Sequence, residues 1–89
     1  MFVIMVYDVS VDRVTKVLKI SRKYLNHIQN SVFEGELSPA QYKKLKYELT
    51  KTMSSQHDSV RFYILRTTQY MTVDKLGIPS HPGDLGDFL

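Results

Sequence analysis

Eighty-nine residues, 43% of them apolar and with a formal net charge of +3, amount to one small domain with too little chain for a second core. The absence of cysteine excludes a disulfide framework, a thiolate zinc site and a thiol nucleophile, in keeping with a cytoplasmic location. No apolar run approaches the length that spans a bilayer, and the apolar start lacks the basic leader of a signal peptide.

The first element is Phe2-Val-Ile-Met-Val-Tyr-Asp8, six apolar or aromatic residues closed by an aspartate. It is rich in β-branched and aromatic side chains and too short for a bundle helix, which predicts a central strand. Phe2, Ile4, Val6 and Asp8 then project to one side, and Val3, Met5, Tyr7 and Val9 to the other. Both faces are apolar, so both need cover. In the loop that follows, Ser10 or Asp12 can cap the next helix. Residues 13–26 have helical spacing, with Val14, Val17, Leu18, Ser21 and Leu25 on one face. Arg13, Lys16, Lys19 and Lys23 lie opposite, with Arg22 to one side. Every charge from Arg13 to Lys23 is positive, without an interleaved acid to pair with. That face is a candidate phosphate-binding surface as well as an ordinary solvated one.

His27 to Leu37 reads as two short strands, about 27–30 and 32–37, joined by a tight turn or bulge. Ser38-Pro39-Ala40-Gln41 predicts a helix start with a capping box and a pre-set first turn. Tyr42, Leu45, Leu49 and Met53 form its buried stripe, while Lys43, Lys44, Tyr47 and Lys51 face outward. After a polar loop, Val60–Leu65 is a strand with Val60, Phe62 and Ile64 on one side and Arg61, Tyr63 and Leu65 on the other. Tyr70–Val73 is one more short strand. Residues 78–89 form an acidic, Pro/Gly-rich tail, which leaves a domain at 1–77 that holds all twelve bases. A basic body of this kind suits a polyanion partner.

This order predicts an α+β, ferredoxin-like βαββαβ fold with an extra C-terminal strand. Right-handed crossovers place both helices on one sheet face. The other face is too apolar to stand in water, so a second copy is expected to cover it as a homodimer.

Candidate chemistry is sparse. There is no nucleophile elbow, no P-loop and no Gly-x-Gly-x-x-Gly, and His27, His57 and His81 lack metal-ligand spacing. Asp8 remains. A strand-end aspartate is ordinarily a turn or cap residue; the functional alternative is a ligand for Mg²⁺, or Mn²⁺ in its place. Mg²⁺ needs only one or two carboxylates, and one Asp8 from each of two chains suffices for phosphodiester hydrolysis.

Tyr7-Asp8-Val9-Ser10 before a basic helix, together with Ile28-Gln-Asn-Ser-Val-Phe-Glu-Gly-Glu-Leu37 after it, resembles the second CRISPR-associated protein family. These are the small subunits of the spacer-acquisition machinery, and the likeness runs over residues 1–76. It implies a ferredoxin-like homodimer whose last strand, here Tyr70–Leu76, joins the partner's sheet. It further implies a metal-dependent endonuclease acting on single-stranded RNA or double-stranded DNA, with Asp8 and its dimer mate on the ion. Tyr7, the Arg13/Lys16 region, Ser31 and Phe33 match other implicated positions, and Lys19, Arg22 and Lys23 extend the basic face. Members also bridge integrase dimers on duplex DNA, a role in which the nuclease site is dispensable. One departure stands out: many relatives have arginine where this chain has His27, which is charged only partly near neutrality. The two readings, metal-dependent nuclease and non-catalytic DNA-bridging scaffold, differ in what they expect of Asp8.

Overall fold

The structure, a computed structural model, describes residues 1–69, 71, 72 and 74. The elements are β1 (Phe2–Asp8), α1 (Val11–Arg22), β2 (Asn26–Gln29), β3 (Val32–Glu36), α2 (Pro39–Thr52) and β4 (Ser59–Leu65). The strands make one antiparallel sheet in the order β2-β3-β1-β4, the ferredoxin-like arrangement. β1 is central, as its two apolar faces require. The expected strand over 70–76 and the tail 78–89 fall largely outside the described residues.

Met5 pairs with Phe33 on one side and Phe62 on the other, so the helix-facing surface of the sheet is continuous across three strands. Val3, Met5, Tyr7, Phe33 and Leu37 are buried there against Val17 of α1, Leu25, and Leu45 and Leu49 of α2. Ser21 is buried too and donates its hydroxyl to the Met5 sulfur at 3.8 Å. Tyr42 meets Phe62 edge-on at 5.2 Å. Gly35 lets β3 pass close to Leu25: a Cβ there would sit 3.2 Å from Leu25 Cδ2, and the leucine would have to give by a few tenths of an ångström.

Ser10 caps α1, accepting from the Asp12 amide. The helix ends at Arg22 rather than near Asn26, because its last amides tighten onto Ile20 and Ser21 and β2 then takes Asn26 into register with Glu34. Leu25 keeps its helical periodicity, and so its place in the core, through its own amide bond to the Ser21 carbonyl at 2.8 Å. Between β2 and β3 the turn runs through Asn30 and Ser31, with a register shift between His27 and Gln29. Ser31 has φ 70°, a conformation in which non-glycine residues are uncommon. In α2 the capping box forms: Ser38 Oγ accepts from the Gln41 amide at 3.1 Å, and Gln41 Oε1 accepts from the Ser38 amide at 2.9 Å.

Asp58 is the clasp between two loops. Its carboxylate accepts from Arg13 at 2.5 and 3.1 Å, from the Ser10 amide at 3.0 Å and from the Ser54 amide at 2.8 Å. It is 0% exposed. The Arg13 guanidinium, followed by the Ser10 amide, holds its carboxyl well below the usual carboxylate range. A pKa depressed in the folded state contributes stability that is complete above the unfolded value, near about 4, and is lost as pH falls through the folded one. Urea unfolding across pH 2–7 is therefore expected to show Asp58→Asn less stable than wild type at neutrality, with a flatter decline in acid. Parallel acid limbs for the two proteins would remove the clasp from the stability of the fold.

The face of the sheet away from the helices carries Phe2, Ile4, Val6 and Asp8 of β1, with Val32, Glu34 and Glu36 of β3 and Arg61 and Tyr63 of β4 beside them. No described element of the chain covers it.

Candidate metal and phosphate site

Asp8 closes β1 on this uncovered face, opposite Ser59. Its side chain is exposed and joins none of the hydrogen bonds or ion pairs found among the described residues. Arg61 lies opposite Val6, so it points the same way as Asp8 and is its diagonal neighbour across the strand pair. Asp8, Arg61, Val6, Ser59 and Tyr63 line a shallow cleft of about 260 Å³. Arg61 Nη1 donates to the Tyr63 hydroxyl at 3.4 Å, which raises the arginine's pKa further above its ordinary value. A larger, open recess between α2 and β4 is lined by Leu49, Met53, Val60 and Phe62 together with Lys46, Thr50, Asp58 and Ser59.

Among the described residues no three histidines, cysteines or carboxylates gather as a metal cluster. A lone, solvent-facing carboxylate fits a hard ion that keeps most of its waters, and fits it better with a second carboxylate from another copy.

The other sequence candidates divide. Lys16, Lys19 and Arg22 are exposed on the outer side of α1. Lys23 is exposed beyond the helix end, and it and the Tyr24 hydroxyl both donate to Glu48 of α2, holding that carboxyl below its ordinary value. Arg13 is a correction: its guanidinium is taken by Asp58 and belongs to the loop clasp. Phe33 is another, because it is 0% exposed in the middle of the core and has no face to offer a nucleobase. Tyr7 is 8% exposed, with its ring 5.9 Å from that of Phe33, and it also lines the Asp8 cleft. His27 is half-buried, stacked on Phe33 at 4.4 Å. Ser31 is half-buried in its turn, and its carbonyl accepts from the Tyr7 amide at 3.0 Å.

The structure does not bring the α1 bases to Asp8. Within one chain they lie on opposite layers: Lys16, Lys19, Arg22, Lys43, Lys44, Lys46 and Lys51 on the helices, Asp8 with Glu34 and Glu36 on the sheet. Sequence reasoning passed over Asp58, Arg61 and Tyr63 as site residues. The signal for Arg61 was available, since a ferredoxin-like order sets β4 beside β1 and strand parity turns Arg61 and Asp8 to the same side.

Residues 1–73 match the family model of CRISPR associated protein Cas2. A CRISPR-associated endoribonuclease Cas2 from Thermotoga maritima is 53% identical over 78 residues, which is 88% of this chain and 90% of that one. A protein of the same name from Methanosarcina acetivorans is 44% identical over 79 residues, 89% and 91% of the two chains. A crystal structure of cas2 superposes with a TM-score of 0.83 at 43% identity, covering 92% of both chains. Streptococcus pyogenes Cas2 gives a TM-score of 0.74 at 36% identity, covering 86% of this chain and all of that one. By its sequence over most of its length, and by a fold that agrees with it, this chain belongs to the CRISPR-associated Cas2 family.

Proposed function

We propose that the protein is a subunit of the spacer-acquisition machinery of a CRISPR antiviral defence system and acts, as a homodimer, as a Mg²⁺-dependent endonuclease on single-stranded RNA or duplex DNA. The observation that carries this reading is Asp8, an exposed carboxylate without a partner among the described residues, on a sheet face that no described part of the chain covers. Relatives that carry the name endoribonuclease support the activity. Phe2, Ile4 and Val6 give that face an apolar centre on which a second copy can close. An isologous contact repeats every group, so one Asp8 from each protomer borders the same interface. When bound there, a divalent ion supplies Lewis-acid chemistry for phosphodiester hydrolysis. The Asp8 pair would hold the ion, and the cleft beside it would receive the substrate backbone. The test is cleavage of single-stranded RNA and of duplex DNA with Mg²⁺ or Mn²⁺ and with a chelator. Cleavage is expected only with metal and only with Asp8 intact; chelator-resistant cleavage would sink the metal reading.

A second reading, a scaffold that bridges integrase dimers on duplex DNA without cutting it, is favoured by one observation: the lysines of the helical layer lie away from Asp8. Under this reading Lys16, Lys19 and Arg22 grip backbone phosphates. Replacing all three with alanine is expected to lower duplex affinity and to flatten its salt dependence by about 0.9 in log–log slope for each phosphate no longer neutralised. A slope equal to wild type, measured by anisotropy titrations over a salt series, takes α1 out of the interface.

A further inference from the structure

Among the described residues the carboxylate cleft contains one base, and it comes from β4. Arg61 is exposed, shares the cleft with Asp8, and has no carboxylate partner among the described residues. This sets it apart from Arg13 and Lys23, whose charges are already taken by Asp58 and Glu48. Diagonal neighbours on an antiparallel pair lie roughly 7–8 Å apart, within reach of a long side chain. Asp8 and Arg61 nevertheless form no ion pair among the described residues, and the cleft they both line has room for a group that each would contact from its own side. The α1 lysines cannot serve there, being on the far layer of the same chain. A guanidinium is the side chain whose fork matches two oxygens of one phosphate, and the Tyr63 hydroxyl at 3.4 Å restrains the direction in which it points.

We infer that Arg61 is the phosphate-binding residue of the Asp8 cleft, taking the non-bridging oxygens of a nucleic-acid phosphodiester, with Tyr63 as its positioning residue. The assignment rests on the proposed nuclease reading for its catalytic meaning, but the binding it describes needs no metal. Arg61 touches substrate and takes no part in proton transfer.

The experiment compares wild type, Arg61→Ala, Arg61→Lys and Asp8→Asn. Each is titrated against a short single-stranded oligoribonucleotide over a salt series with a chelator present, then assayed for cleavage with Mg²⁺. Arg61→Ala is expected to bind roughly 10- to 100-fold more weakly, as befits loss of a charged hydrogen-bond pair. Its salt dependence should be shallower by about 0.7 in slope for each phosphate that the arginine had neutralised. Arg61→Lys should recover the slope and only part of the affinity, since an ammonium keeps the charge without the fork. Unchanged affinity in Arg61→Ala overturns the assignment. So does weaker binding at an unchanged slope, which is the mark of a purely structural role. An Asp8→Asn protein that still cleaves overturns the metal reading and leaves Arg61 to be decided by the titrations. Loss of cleavage in Asp8→Asn, with Arg61→Ala equal to wild type in both affinity and KM, overturns Arg61 alone.

Discussion

Asp8→Asn is expected to lower metal-dependent cleavage by roughly 10²-fold or more while leaving the protein folded and able to bind nucleic acid. Loss of a group that merely supports a metal ligand typically costs 10- to 100-fold, so loss of the ligand itself should cost at least that. The substitution is close to isosteric, and Asp8 is exposed and unpaired among the described residues, so stability should move by no more than about 0.5 kcal/mol. With a chelator present the affinity should be equal to wild type or slightly higher, because a negative charge has been removed from beside the phosphate. Single-turnover cleavage, chelated binding and a urea midpoint on the same preparation check the three parts together. Retained cleavage ends the case for Asp8 as the metal residue. Lost binding would instead make it a structural residue of the cleft.

Phe33→Ala is expected to cost about 3–5 kcal/mol, a large share of the roughly 5–15 kcal/mol that holds a domain of this kind together. Phe33 is wholly buried beneath the helices, paired with Met5 across the sheet and stacked on His27. Truncation removes apolar surface at the centre of the core and leaves His27 without its ring contact. Any loss of nuclease activity in this variant should therefore track unfolding, and Phe33→Leu, which keeps most of the volume, should restore both. Denaturant unfolding beside a binding titration separates the alternatives. A Phe33→Ala protein with native stability and no affinity would return the residue to the nucleic-acid surface.

The contrast between these two residues shows what the sequence made legible. Asp8 could be placed because strand parity is strict: the same rule that turns Val3, Met5 and Tyr7 inward turns Asp8 outward. The capping box at Ser38–Gln41 and the stripe through Leu45 and Leu49 were equally readable, since both depend on contacts within a few residues. Phe33 carried a role by resemblance that exposure does not allow it; the parity that placed Asp8 would have assigned it to the core had it been applied to β3 as well. Arg13 could not be read from its own helix, where it sits in a run of bases, because its partner Asp58 is 45 residues away and meets it only when β4 closes on β1. The end of α1 had a similar origin. Helical periodicity runs on to Leu25, and it is pairing of Asn26 with Glu34 in another strand that stops the helix.

The division of charge between the two layers has a kinetic consequence. Among the described residues seven lysines and arginines are exposed on the helices, whereas Asp8 and Arg61 lie on the sheet face, so a dimer closed sheet to sheet presents a basic helical layer on both of its outer sides. A polyanion is then drawn in from either side, so that encounters begin on the helices and the carboxylates are reached last. Whatever enters the cleft must then come from a strand that wraps around an edge of the domain or from one held by a neighbouring copy. Raising ionic strength screens this long-range attraction before it removes the contacts, and should therefore slow capture more than it hastens release.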